Sequence, residues 1–293
     1  MLKQKITKNR ISLIFQNKFA EKVINIKDCS NGVEQIVKII ETNKEKYIIK
    51  FPKKGNELMI FKEAFVCKML NKESFAPKII FKEKDYLIES FIKGEALYRL
   101  KYQKNNKKIY RSLGKLIKTI HNVKMRGFGE LQINEKGKYA KFSNYVKFFI
   151  KKEMPFLRKT MLFSEKEEVR ILKYIKAGIK YIEQTESSLL HGDLIDGNVL
   201  VENKKISGII DFGDAGCGPC SYDLAKIYIE KDGNIFSEVM KGYGKNNINM
   251  KEIKYFAVFH LMYMIPYFYS TNKKQKYNRL INLLKETVDF DLC

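Results

Sequence analysis

Two short stretches hold the residue types that group-transfer chemistry needs. The first is His191-Gly192-Asp193-Leu194-Ile195-Asp196-Gly197-Asn198, and the second is Ile209-Ile210-Asp211-Phe212-Gly213-Asp214. Twelve residues lie between Asn198 and Asp211, room for a strand, a turn and a returning strand. A hairpin of that length brings both side chains back to one end. Asn and Asp oxygens converging on one point make a hard-cation site that leaves several positions to water, and Mg²⁺ carrying nucleotide phosphates is its natural occupant. Asp193, five residues before Asn198, falls beside that ion and is placed to accept a proton from an attacking hydroxyl. Phosphoryl transfer asks for this set: a metal and a cation must balance the charge of the migrating group, and little covalent work is left to the protein.

The cation has to come from another element. Lys50 ends the β-like run Tyr47-Ile48-Ile49-Lys50. A helix is expected over 57–71, where Leu58, Phe61, Phe65 and Leu70 recur at helical spacing, and it offers Glu63 to hold the lysine, with Glu57 as the runner-up. Val33, Ile36, Val37, Ile39 and Ile40 form a strand that pairs with 47–51 as a hairpin, with Ser30-Asn31-Gly32 in the preceding turn. Short strands are expected at 78–81 and 86–91. From Gly94 onward helices dominate, at 109–123, 142–152 and 165–186, interrupted only by short β runs at 199–201 and 206–211. The expected fold is α+β and bilobal, with an antiparallel sheet and one helix in the first lobe and a larger, mainly helical second lobe. We place the nucleotide-binding lobe at 1–89, the hinge at 90–94 and the catalytic and acceptor-binding lobe at 95–293.

A strand Lys, a helix Glu, a His-x-Asp loop with its Asn, and an Asp-Phe-Gly together follow the parts of protein kinases. The block His191 to Asn198, then Ile210-Asp211-Phe212-Gly213-Asp214-Ala215-Gly216 and Tyr222-Asp223-Leu224-Ala225, resembles the aminoglycoside phosphotransferase/choline kinase-like family of small-molecule kinases. The likeness covers roughly 25–230. It implies a protein-kinase-like fold and an ATP- and Mg²⁺-dependent transfer of the γ-phosphoryl group to a small-molecule hydroxyl, with GTP as the alternative donor. It further implies that Asp193 is the catalytic base and that Asn198 and Asp211 bind Mg²⁺. Lys50, paired with Glu63, would contact the α/β phosphates. Glu89, Ser90, Phe91 and Ile92 would form the hinge whose backbone meets adenine, and Asp223 would brace the catalytic loop. Ser30, Asn31 and Gly32 would cover the phosphates with backbone amides and a hydroxyl, although this loop has a single Gly.

The departures are informative. Gly192 stands where protein kinases carry an Arg that meets a phosphorylated activation loop, and only eight residues separate Asp214 from Asp223. Phospho-switching and protein-kinase activity are therefore not expected. The leading acceptor is an aminoglycoside-type antibiotic, and the alternatives are choline, a sugar or an amino-acid hydroxyl. A cationic antibiotic needs an acidic wall, for which Asp196, Glu230, Asp232, Asp289 and Asp291 are candidates and solvated turns the plainer explanation. Residues 127–139 are candidates for part of the acceptor wall or a lid.

Several features have simpler explanations than chemistry. The net charge is +23, but it comes from 49 Lys against seven Arg spread along the chain. Base recognition favours Arg forks, so no specific nucleic-acid partner is expected and a non-catalytic basic binding module is the second class of function. Hydrophobic residues at 45%, with 17 Tyr and 20 Phe, fill a sizeable core and exclude a disordered or collagen-like chain. Five Cys, an odd number, with an apolar run at 11–15 too short for a signal segment, suggest a reducing cytoplasmic setting. Residues 255–272 carry no full charge but fall short of the roughly 20 apolar residues a membrane span needs, so a buried helix is expected. A monomer or weak dimer is the expected state. His191 and His121 read as structural histidines. Asp214 could assist a second metal position or cap its turn. Cys217-Gly218-Pro219-Cys220 imitates a thioredoxin site, but the strands such a domain needs after it are missing.

Overall fold

The computed structural model describes residues 6–29, 34–100, 106–244 and 249–290. The first lobe begins with helix α1 (Lys8–Phe19), capped by the Thr7 hydroxyl, which accepts from the Arg10 amide. It continues into strands β1 (Val23–Asp28), β2 (Gln35–Thr42) and β3 (Lys46–Pro52), helix α2 (Glu57–Met69), then β4 (Ile79–Lys82) and β5 (Leu87–Ser90). These strands form one antiparallel sheet in the order β1-β2-β3-β5-β4. The β2–β3 hairpin has the expected pairing, with Val37 opposite Lys50. Helix α1 stands in addition to the one helix expected in this lobe. Its Ile11 and Phe15 are fully buried against Ile40, Tyr47, Ile49, Phe51, Tyr86 and Ile88, forming the small core of the lobe.

Strand alternation then decides where Lys50 goes. Tyr47, Ile49 and Phe51 face α1, so Ile48 and Lys50 face the other side, where α2 packs. The chain leaves β5 at Phe91 and crosses through Gly94 into β6 (Glu95–Ala96).

The second lobe contains α3 (Lys107–His121), the hairpin β7 (Phe128–Leu131) and β8 (Gly137–Tyr139), α4 (Phe142–Lys159), α5 (Glu165–Ile182) and β9 (Ser188–Leu190). There follow the hairpin β10 (Val199–Glu202) and β11 (Lys205–Ile209), β12 (Gly216–Gly218), α6 (Ser221–Glu230), α7 (Gly233–Tyr243), α8 (Met250–Ser270) and α9 (Lys274–Phe290). Two small sheets, β11-β10-β6 and β8-β7-β12-β9, support the loops between them. Residues 127–139 thus belong mainly to a β-hairpin paired onto β12.

Helix α8 carries the uncharged run. Its residues from Ile253 to Ile265 are buried almost without interruption, because α4, α5, α6 and α9 pack around it. A helix apolar on all sides is a core helix when other helices surround it. Among the described residues no helix is long and apolar enough to cross a membrane. The lobes are joined by Lys62 of α2, paired to Glu130 of β7 at 3.2 Å, and by Glu63, which accepts from the Phe212 amide at 3.4 Å.

Candidate active site

The site begins with Lys50. Its ammonium lies 2.5 Å from Glu63 Oε1 and 3.1 Å from Glu89 Oε1, and all three side chains are buried. Burial alone would strip the lysine of its proton, but the two carboxylates, with Asp211 behind them, outweigh it and hold its pKa well above the usual value. One ammonium cannot neutralise two buried acids. Burial raises both carboxyl groups, Glu63 to about 8, and each keeps one oxygen without a hydrogen-bond partner. Glu57 instead sits at the start of α2, where it accepts from the Gly55 amide.

Glu89 differs from its expected place in the hinge. It lies inside β5, paired to Ile48 on one side and Ile79 on the other, and its side chain is turned to Lys50. The Ser90 amide is also engaged, by the Lys78 carbonyl. Phe91 and Ile92 are the first residues past the strand, half-buried, so the crossing segment starts two residues later than 89 and runs to Gly94. Ser30, Asn31 and Gly32 lie outside the described residues.

The second half of the site hangs on the β10–β11 hairpin. Val199 faces Ile209, and the Ile210 amide donates to the Asn198 carbonyl at 2.9 Å, so Asn198 and Asp211 emerge at the same end. The Asn198 side-chain amide donates to the Asp193 carbonyl at 2.8 Å. That bond fixes which way the carboxamide points: its nitrogen is engaged by the Asp193 loop and its oxygen is left as an acceptor. Asp211 has φ +67°, an uncommon conformation for a residue with a side chain, and is exposed. Asp214 is exposed on the short 3-10 turn that follows.

A buried brace sets the loop that carries Asp193. Asp223, near the N-terminus of α6, accepts from the amides of His191 at 2.7 Å and Gly192 at 3.1 Å, and contacts His121 Nε2 at 3.1 Å. Burial opposes the charge on Asp223, but His121 and the backbone amides overcome it and hold the carboxyl below its usual range. His121 is lifted to about 9: burial works against its charge, and Asp223 with Cys220 prevails. The two Asp223 oxygens thus fix consecutive amides at the start of the loop. Gly192 has φ +85°, and a Cβ there would sit 2.1 Å from the Asp214 carbonyl oxygen. No side chain fits, which is the physical reason that the Arg of protein kinases has no counterpart. His191 is fully buried, its Nδ1 accepting from the Asp193 amide and its Nε2 donating to the Ile210 carbonyl.

The thioredoxin-like cysteines are arranged the wrong way round for redox work. Cys217 lies in β12, fully buried, and burial pushes its thiol up to about 12. Cys220 is the one lowered, to about 7, because His121 outweighs the cost of burial. The four described cysteines are free thiols.

Three residues near Asp193 belong to no sequence motif. Lys226 of α6 places its ammonium 3.8 Å from Asp193 Oδ1 and donates to the Tyr263 hydroxyl at 3.1 Å. Tyr263 in turn meets His260 Nδ1 at 2.9 Å. The available signal was Lys226 itself, a charge set among Leu224, Ala225, Ile227 and Ile229, all buried. Of the acidic candidates for the acceptor wall, two are engaged, and Glu230 ends α6 half-buried. Asp196 pairs with Lys231, and Asp232 caps α7 by accepting from the Ile235 amide. The side chain of Asp289 and the whole of Asp291 lie outside the described residues.

With this geometry in hand, the comparisons are specific. Residues 25–254 match the family described as APH, the Phosphotransferase enzyme family. No curated protein sequence matches the chain. Among solved structures, a ternary complex of a thermostable mutant of aminoglycoside phosphotransferase APH(4)-Ia with AMP-PNP and hygromycin B superposes with a TM-score of 0.73 at 14% identity. That match covers 95% of this chain and 97% of the other. The gentamicin-APH(2")-IIa complex gives 0.66 at 16% identity, covering 97% of both chains. ADP-bound APH(2'')-Ib gives 0.69 at 16%, covering 96% and 99%. At these identities the likeness is one of fold: bilobal, with an antiparallel sheet in one lobe and a mainly helical second lobe.

Proposed function

The chain belongs to the phosphotransferase enzyme family and transfers phosphate to a hydroxyl, and from that premise we propose a Mg²⁺-dependent transfer of the γ-phosphoryl group of ATP to a small molecule. What carries the proposal is the Asn198 side chain. Its nitrogen is engaged by the loop of Asp193, its backbone is bonded to the residue before Asp211, and its oxygen is left over. An oxygen-only pair of that kind fits Mg²⁺, which takes few protein ligands and keeps several waters. Asn198 and Asp211 would hold the ion, which when bound offsets the phosphate charge. The absence of any cluster of three or more His, Cys, Asp or Glu among the described residues is compatible with that choice, since one carboxylate and one carboxamide are enough.

Asp193 then acts as the base. Its carboxylate takes the proton of the acceptor hydroxyl as the new O–P bond forms and the bond from the γ-phosphorus to the bridging oxygen breaks, with ADP as the leaving group. Lys50, kept charged by Glu63 and Glu89, meets the α/β phosphates. Phe91 and Ile92 are the backbone that meets the base of the nucleotide, with GTP as the alternative donor.

For the acceptor, an aminoglycoside-type antibiotic is the first class to test, because structural neighbours are described in complexes with hygromycin B and gentamicin. The pairing of Asp196 with Lys231 and the capping role of Asp232 favour a second reading, a metabolic alcohol such as choline, a sugar or an amino-acid hydroxyl, since neither carboxylate is free to receive a polycation. A cytoplasmic monomer or weak dimer completes the proposal. The test is an ATP-consumption screen over aminoglycosides and small hydroxyl metabolites with Mg²⁺ present, followed by mass spectrometry of the product. A phosphorylated acceptor formed by the wild type and not by Asp193→Asn supports the assignment. Equal yields from both proteins contradict it, and salt-sensitive binding to nucleic acid without any ATP turnover points to the basic binding module.

A further inference from the structure

Lys226 is nine-tenths buried in an apolar stretch of α6, and a charge in that setting persists only with partners. Its partners form a chain with one direction. The Tyr222 carbonyl can only accept, so His260 Nε2, at 2.9 Å from it, carries the hydrogen. Burial, reinforced by the nearby Lys226 ammonium, lowers His260 to about 3, so the ring is neutral and Nδ1 bears a lone pair. Nδ1 lies 2.9 Å from the Tyr263 hydroxyl, which must therefore donate to it. A phenol has a single proton. With that proton directed at His260, the Tyr263 oxygen is left to accept from Lys226 at 3.1 Å. Burial alone would neutralise Lys226, but Tyr263, Asp193 and Glu230 outweigh it and keep the ammonium charged. Asp223 also faces His260, and Lys276 of α9, with Lys273 and Arg279 beside it, lies toward Lys226.

The last link is the one that matters for chemistry. Lys226 Nζ stands 3.8 Å from Asp193 Oδ1, inside ion-pair range and beyond hydrogen-bond length. The ammonium therefore attracts the carboxylate without occupying the lone pair that must receive a proton. We propose that Lys226 is a positioning residue for the transfer step: aimed by the Tyr222–His260–Tyr263 chain, its ammonium holds the Asp193 carboxylate in the orientation that meets the acceptor hydroxyl. This rests on Asp193 being the base, as argued above.

The probe is Mg·ATP with water as the acceptor, followed by phosphate release. Lys226→Met should lower kcat by roughly 30- to 100-fold, within the range for misplacing a general base, while KM for Mg·ATP stays within about threefold because Lys226 acts through Asp193. Lys226→Arg should recover most of the loss, since it restores the charge. Tyr263→Phe, which keeps the volume and removes only the aiming oxygen, should lower kcat by about three- to tenfold. The inference is overturned if Lys226→Met keeps kcat within about twofold of wild type while Asp193→Asn is inactive, or if the Arg variant is as impaired as the Met variant. Should Lys226→Met not fold, Tyr263→Phe decides, and an unchanged kcat there overturns the inference. An active Asp193→Asn, or a wild type that releases no phosphate, counts instead against the assignment of the base.

Discussion

The candidate site has two buried lysines, and the fold supports them in opposite ways. Lys50 is held by two carboxylates that together exceed its charge and leave an oxygen on each without a partner. Lys226 is held by neutral groups, a phenol oxygen backed by an imidazole, and its charge is directed at one carboxylate 3.8 Å away. The first arrangement fixes a cation in place and leaves the cluster short of positive charge. The second keeps a cation in reserve for a group that works. Buried ion pairs contribute little net stability in general but break expensively when one partner is removed. The two lysines should therefore differ in what their loss does to folding: a large cost at Lys50, whose loss also removes a phosphate contact, and a loss mainly of turnover at Lys226.

The largest effect is expected at the group that Lys226 faces. Asp193→Asn should reduce turnover by roughly 10³-fold or more with an unchanged melting temperature. Steady-state phosphate release and a thermal melt on the same sample check both halves. Lys50→Met comes next and tests the other side. It strands two fully buried carboxylates, so it should cost about 3–5 kcal/mol in urea unfolding, and a Lys50→Met/Glu63→Gln/Glu89→Gln triple variant should regain most of it. If the single variant is as stable as wild type, Lys50 is not held as described.

The pH dependence of stability sharpens the contrast further. Glu63 is raised by burial from its ordinary value to about 8. A folded-state pKa above the unfolded one gives stability that is fully present below about pH 4.5 and is lost as the pH rises through about 8. The Glu63→Gln variant should lack that part of the decline, so the stability difference between the two proteins should change across this window. A constant difference from pH 5 to 8 would show that the cluster does not retain a proton. The smallest effect is expected at Cys217→Ser/Cys220→Ser. That variant should keep phosphotransfer within about threefold, because Cys217 is inert by burial and Cys220 touches the brace rather than the cleft. Insulin-disulfide reduction by the wild type that the variant lacks would reinstate the redox reading.

Legibility in the sequence followed the same divide. Short-range spacing announces Asn198 and Asp211, because a hairpin of fixed length joins them, and strand alternation puts Lys50 on the α2 face. The choice of Glu63 over Glu57 was legible because it stands six residues further along α2, on the face that packs. Glu89 was misjudged as hinge since nothing local distinguishes the last residues of a strand from the first beyond it, and its side-chain direction depends on β4 pairing alongside. Lys226, His260 and Tyr263 were illegible for a different reason. They belong to α6 and α8, 34 residues apart at nearest, and only the packing of these two helices brings them to Asp193. Helix α1 went unseen because it is weakly amphipathic and needs the sheet to form on.

If Asp193, Asn198, Asp211 and Lys50 surround one Mg²⁺-bound nucleotide, titration calorimetry of ATP into the wild type and into Asp211→Ala, each with and without Mg²⁺, will register it. We predict saturable binding to the wild type that is strengthened by Mg²⁺, and loss of that Mg²⁺-dependent gain in the variant with its fold intact by circular dichroism. Equal Mg²⁺ dependence in the two proteins, or no nucleotide binding by the wild type, would contradict the account.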